Sequence, residues 1–194
     1  MPRPAEFDWD EVLFKALLLF NEKGYAACSI QNLLNAMDLN RGSLYAEFGD
    51  KRALYKEALN LYELLFVNEL ETFLLSGESP IKNIHAFFDI AFLGLTDEQL
   101  RAGCLFVNTI VEMTDIDQEL VDAASFKLGK LEVAMEKVLK HAQKTGELSH
   151  DKDPMALSQF LGSTIKGLRI TCKETQDKEQ ISNIINTALT VLGN

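Results

Sequence analysis

An all-α fold is predicted by three features of this 194-residue chain. Apolar residues recur at three- and four-residue steps in one segment after another, and no stretch alternates apolar and polar residues as a half-buried strand does. Helix breakers are scarce: 11 Gly and 4 Pro, in a chain that is 47% hydrophobic. No apolar run exceeds Ala16 to Phe20, far short of the about 20 residues that span a bilayer. The start, Met-Pro-Arg-Pro-Ala-Glu-Phe-Asp-Trp-Asp, lacks the basic-then-apolar order of a signal peptide, so a soluble, cytoplasmic protein is expected.

Nine helical segments follow in order. Trp9, Val12, Leu13, Ala16, Leu17 and Phe20 share one face; Asp8 with Glu11 suits the cap, and Phe7 with Val12 a hydrophobic staple. Gly24 stops this helix. Ser29 caps a two-turn helix whose apolar face is Ile30, Leu33, Leu34 and Met37. Asn40 caps another from Arg41 to about Phe48, and Gly49-Asp50 ends it and starts the next. Leu54, Ala58, Leu61 and Leu65 continue a long helix from Lys51 to about Leu75, broken by Ser76-Gly77-Glu78-Ser79-Pro80. Further apolar periods cover about 81–95, 104–114, 117–144, 154–175 and 178–192, punctuated at Thr96-Asp97, Gly103, Thr114-Asp115, Gly146 to Pro154 and Thr175 to Asp177.

Residues 29–45 have helix-turn-helix spacing: a short helix, a tight turn, then a second helix that in such a motif enters the major groove N-terminus first. Asn40, Arg41 and Ser43 cluster at that leading end, where side chains and free backbone N–H groups meet bases and phosphates; Tyr45 adds a hydroxyl one turn on. Leu44 and Phe48 point back into the module. Spacing alone is equally compatible with an ordinary helical hairpin.

Arg41-Gly42-Ser43-Leu44-Tyr45-Ala46-Glu47-Phe48-Gly49-Asp50-Lys51, with Phe20, Gly24-Tyr25, Ile30 and Leu54 around it, resembles the recognition-helix signature of the TetR/AcrR transcriptional regulators. The likeness is dense over about residues 9–56. It implies a DNA-binding module over 1–52 and a helical effector-binding and dimerisation body over 53–194. Carried over by position, Arg41 and Ser43 contact bases or phosphates, Tyr45 and Lys51 hold phosphates, Ser29 caps and clamps the backbone, Gly42 lets the helix approach DNA, and Gln31 is a further contact. Three positions depart from the family pattern. Asp38 replaces the usual Gly but tolerates the left-handed turn; Cys28 replaces a common Thr, leaving the cap to Ser29; and Ala46-Glu47 replaces bulkier residues, so Glu47 either accepts from a cytosine or faces away from phosphate.

Charge taken whole opposes nucleic acid: 19 Lys+Arg against 29 Asp+Glu, net −10. Locally the balance differs. Residues 29–56 hold four cations (Arg41, Lys51, Arg52, Lys56) and three acids, net +1, whereas residues 61–194 hold 12 and 20, net −8.

Reading a palindrome requires a dimer, and the last two segments offer apolar faces for it: Met155, Leu157, Phe160, Leu161, Ile165 and Leu168 on one, Ile181, Ile184, Ile185, Ala188, Leu189 and Leu192 on the other. Gly162, Ser163 and Gly167 permit close helix approach. Plain core is the alternative; the resemblance implies a four-helix bundle between two copies. The middle phenylalanines fit an aromatic core, while the resemblance implies an effector pocket, with Phe66, Phe88, Phe92 and Phe126 as apolar lining, His85, Asn108 and Glu112 as polar groups, and Cys104 at the start of a pocket helix. Near a helix N-terminus Cys104 reads either as a reactive thiolate or as inert packing. Cys28, Cys104 and Cys172 form no metal or disulfide pattern, and His85, His141 and His150 lack metal-ligand spacing. No catalytic or phosphate-loop signature is visible, and no cofactor is expected.

The expected function is a ligand-responsive repressor, released from a palindromic operator by a hydrophobic or aromatic molecule. Two alternatives stand: a small-molecule-binding or scaffold protein with a degenerate DNA-reading head, and an all-α enzyme built on Cys104 and His85.

Overall fold

A computed structural model describes residues 8–77 and 79–193. Phe7, half of the expected staple, and Glu78, within the expected break, lie outside the described residues. The described residues form helices and turns without a strand.

Local capping starts the first four helices where the sequence predicts. Asp8 accepts from the N–H groups of Asp10 and Glu11 to open α1 (Trp9–Lys23), while the Glu11 side chain pairs with Lys15 at 2.6 Å rather than completing the cap. Gly24 (φ +80°) closes it. Ser29 Oγ accepts from Asn32 N–H at 3.1 Å and Asn32 Oδ1 from Ser29 N–H at 3.0 Å, a reciprocal cap for α2 (Ile30–Met37). Asp38 then adopts the left-handed conformation (φ 55°, ψ 43°), so the turn survives without glycine. Asn40 Oδ1 accepts from Ser43 N–H at 2.9 Å to open α3 (Arg41–Phe48), and Asp50 caps α4 (Lys51–Tyr62). Leu44 is buried and Phe48 meets Trp9 edge-on at 5.9 Å, fixing α3 by its inner face.

The long helix from Lys51 runs to Leu74, but with a π-helical turn, Glu63–Val67, between α4 and α5 (Asn68–Leu74). This turn sets Glu63 against Lys127 and Lys130. Burial opposes the charge there, yet the two ammonium groups hold the Glu63 carboxyl below the usual range. A second π turn, Asp89–Leu93, extends α6 (Pro80–Phe88). The stretch between the expected breaks at Thr96-Asp97 and Gly103 forms a short helix α7 (Asp97–Ala102), because Thr96 and Gln99 close a capping box. Then come α8 (Leu105–Met113), α9 (Gln118–Thr145), α10 (Pro154–Glu174) and α11 (Lys178–Leu189) with a 3₁₀ turn, Thr190–Leu192. All nine expected segments occur. α9 is the axis of the body, packed by α5, α6, α8 and α10. No helix among the described residues is long and apolar enough to cross a membrane.

The expected pairing surface is corrected. Ile181, Ile185 and Leu189 face inward, because α11 covers α10 and the π turn of α6 within its own chain. Gly162 is also inward: a Cβ there would stand 2.8 Å from Glu132 Oε2 of α9. The outward stripe of α10 is Phe160, Ser163, Gly167 and Ile170, all exposed.

Candidate nucleic-acid interface

The outer side of the helix-turn-helix gathers most of the predicted contact residues. Asn40, Arg41, Gly42 and Tyr45 are exposed at and after the start of α3, with Ser43 half-buried and Glu47 exposed at its far end. Ser29 and Gln31 are exposed at the start of α2. Several of these groups already have work in the fold. Asn40 Oδ1 and Ser29 Oγ are caps, while the Asn40 amide NH₂ has no partner among the described residues, and Gln31 donates to Asn35 Oδ1 at 2.8 Å. A Cβ at Gly42 would crowd the Asn40 cap at 3.2 Å, so glycine preserves both the cap and the close approach. Arg41 is exposed and has neither hydrogen bond nor ion pair to the described residues.

Electrostatics sharpen the sequence count of four cations. Arg52 lies bidentate on Asp117 (2.5 and 3.0 Å) and reaches Glu119 at 2.5 Å, while Lys56 also pairs with Glu119. The two carboxylates raise the already high Arg52 pKa through these hydrogen bonds, and Arg52 and Lys56 in turn lower those of Asp117 and Glu119. Two of the four cations counted in residues 29–56 are thereby paired with carboxylates at the start of α9. Lys51 donates to the Tyr25 carbonyl at 2.5 Å and lies 4.3 Å over the Tyr25 ring, a tether that its flexible stem can leave. Arg41 and Lys51 have no carboxylate partner among the described residues.

The predicted pocket residues scatter. Asn108 donates to the carbonyls of Asn21 and Ala102, and the Glu112 carboxylate accepts the N–H groups of Tyr25 and Ala26; both point to the reading head. Phe126 is 74% exposed on α9, and His85 is exposed in a surface depression with Ile81, Glu147 and Asn186. These four are corrections: helical phase turns each away from the middle of the bundle. Of the other four, Phe88, Phe92 and Cys104 are buried, Phe66 is 40% exposed beside Tyr62, and the ring contacts fall into two groups. Tyr62 stands 4.9 Å from Phe66 and 5.0 Å from Phe106, Phe88 stacks on Phe92 at 6.1 Å, and Arg169 lies 4.5 Å over the Phe92 ring. Burial, with Cys104 alongside, raises the Tyr62 pKa, so its hydroxyl stays neutral. Cys104 precedes α8 without a side-chain capping bond, at 5% exposure. Tyr62 and Arg169 carry no local signal that sets them apart, and Phe106 is one of the middle phenylalanines that fit an aromatic core. The same holds for the bridge residues Asp117 and Glu119, 65 and 67 positions from Arg52.

A short helix pair presenting a polar, partly cationic leading edge, braced on a helical body, defines a helix-turn-helix regulator. Comparison with known proteins agrees. Residues 12–58 match the bacterial regulatory proteins of the tetR family, and residues 80–188 the tetracyclin repressor-like C-terminal domain. The chain belongs to the TetR family. It is 31% identical over 194 residues to the HTH-type transcriptional regulator YezE of Bacillus subtilis, covering 99% of this chain and 100% of that one. It is 28% identical to the HTH-type transcriptional repressor ComR of Escherichia coli, covering 96% and 90%. Among solved structures, the TetR family regulator CifR, a cysteine mutant complexed with 26-bp double-strand operator DNA, superposes with a TM-score of 0.87 at 27% identity, covering 96% and 97%. The family is one of transcriptional regulators rather than enzymes.

Proposed function

We propose that this chain is a ligand-responsive repressor that binds a palindromic operator as a homodimer and is released by a hydrophobic or aromatic small molecule. The observation that carries the reading is the leading edge of α3, where Arg41, the Asn40 amide and Tyr45 stand exposed beside Gly42 and half-buried Ser43. The relatives named as repressors and the operator-bound CifR structure support the same direction. Two heads need a two-fold axis, and the outward stripe Phe160, Ser163, Gly167 and Ile170 on α10 is the surface assigned to it, its two small residues admitting close helix approach. The effector site is assigned to the cluster of Tyr62, Phe66, Phe88, Phe92, Cys104 and Phe106, with Arg169 as its cationic group. Each π turn carries a residue of this cluster, Phe66 in one and Phe92 in the other, and π turns are frequent at functional sites.

Selection from a random DNA library, followed by gel shift at about 150 mM salt, near the ionic strength at which screening is physiological, tests the function. A palindromic sequence bound by a dimer is expected; retardation without sequence preference refutes the reading. Sedimentation of Phe160→Glu should then give a monomer that no longer shifts the palindrome.

A further inference from the structure

The loop between α1 and α2 is gripped from two sides by groups of opposite polarity. From the body, the Glu112 carboxylate on α8 accepts the Tyr25 N–H at 2.8 Å and the Ala26 N–H at 2.6 Å. From α4, the Lys51 ammonium donates to the Tyr25 carbonyl at 2.5 Å. Gly24 makes the approach possible, since a Cβ there would stand 2.8 Å from Glu112 Oε2. A second path joins the same elements through side chains. Thr109, one turn before Glu112 on α8, shares a 2.7 Å hydrogen bond with the Tyr55 hydroxyl, and the Tyr55 ring lies 4.9 Å from that of Tyr25.

Where Glu112 acts distinguishes it from the other ties between body and head. Arg52, Tyr55 and Lys56 lie on α4, which passes through both parts, and Asn108 reaches the Asn21 carbonyl on α1, so none of these bonds holds the backbone entering α2 directly. Glu112 bonds instead to the backbone entering α2, three residues before its cap Ser29. Charge-assisted bonds to two consecutive N–H groups fix the direction of that backbone as well as its distance. In a two-fold dimer, the separation of the two recognition helices is set by how each head sits on its body, and that separation must match the half-site spacing.

We propose that Glu112 is a positioning residue that holds each reading head at one tilt and thereby makes the dimer selective for half-site spacing. The proposal rests on the DNA-binding reading above. Glu112→Gln is the test, because it keeps the side chain's size while offering one acceptor and an opposing NH₂ to the two N–H groups. Amide exchange followed by NMR should accelerate about tenfold at Tyr25 and Ala26, the scale of losing a bond to a charged group, with α9 and α10 unchanged. Gel shifts should use the palindrome selected by the wild type and versions with the spacer changed by one or two base pairs. The wild type should show a sharp optimum; the variant should bind that optimum about tenfold more weakly and the altered spacings almost equally well. Glu112→Asp, with the carboxylate drawn back by one methylene, should fall between. A sharp optimum kept by the variant, unchanged exchange at Tyr25 and Ala26, or protection lost evenly through the body overturns the proposal. A wild type that selects no sequence overturns the underlying reading as well.

Discussion

The salt dependence of operator binding follows from the way the head's cations are distributed. Of the four in residues 29–56, Arg52 and Lys56 are bound by Asp117 and Glu119, leaving Arg41 and Lys51 for phosphate. Two per head and two heads per dimer give four neutralised phosphates, hence a slope of log K against log salt of about −3.6, from about −0.9 per phosphate on duplex DNA. All four cations per head would give about −7. Between about 50 and about 200 mM salt the first slope costs roughly 150-fold in affinity and the second roughly 20,000-fold, so fluorescence anisotropy with a labelled operator separates them easily. Lys51→Ala and Arg41→Ala should each reduce the slope by about 2, having two copies, whereas Arg52→Gln should leave it unchanged. Arg41→Ala should also relax sequence preference at a cost of about 1 to 3 kcal/mol, while Lys51→Ala weakens all sequences alike. A wild-type slope steeper than about −6, or an Arg52→Gln slope that falls as for Lys51→Ala, refutes the assignment of Arg52 and Lys56 to the body.

Three further outcomes are expected. Glu63, whose side chain is 13% exposed between Lys127 and Lys130, has a lowered pKa; its stabilisation is therefore full above its ordinary 4.5 and lost as pH falls toward the lowered value. Glu63→Gln should lower stability at neutral pH by about 1 to 2 kcal/mol and flatten the acid limb of a thermal-melting series; an unaltered acid limb refutes this. Asp38, at φ 55°, should accept Gly without loss, whereas Asp38→Val should cost about 1 to 2 kcal/mol in urea unfolding, the strain of a left-handed branched residue; equal midpoints for the two variants would exclude strain as the cause. All three cysteines are buried, and burial pushes the Cys28 and Cys172 thiols up, so native protein should resist iodoacetamide. Peptide mapping that finds Cys104 labelled before denaturation would favour the reactive-thiol reading.

The reading head was legible because its signals are local. Ser29, Asn40 and Asp50 cap within three residues of the N–H groups that they satisfy, and Asp38 needs only its own backbone to turn. Helix α7 was equally readable: Thr96 and Gln99 are a capping box at the standard interval, hidden by treating Thr96-Asp97 and Gly103 as punctuation. The body was legible as helices but not as faces. Ile181, Ile185 and Leu189 are as apolar as an interface requires and as a core requires, and only the packing of α11 decides between them. Asn108 and Glu112 were misassigned for the same reason. Each meets partners 87 or 86 residues away, and the phase of a nine-residue helix does not say whether its polar side faces a cavity or another domain.

The ionic bridge also bears on how a signal reaches DNA. Asp117 is shared: one oxygen accepts from Leu120 N–H as the cap of α9, and both hold the Arg52 guanidinium in the first turn of α4. A shift of α9's first turn therefore moves Arg52, and with it the neighbouring Lys51, or breaks a bidentate contact whose geometry tolerates little displacement. Glu63 ties the far end of α4 to Lys127 and Lys130, later on the same helix α9. Between these anchors lies Tyr62, and the first π turn begins at the second of them. If the effector enters at Tyr62 as proposed, it would push on a segment held at both ends, and the two ionic contacts would take up part of the displacement. A ligand that prefers the state with those contacts broken shifts the population toward it by its difference in affinity. On the proposed function, cations held by the body would lower the grip on random DNA and, by the same bonds, make the grip on the operator sensitive to the body.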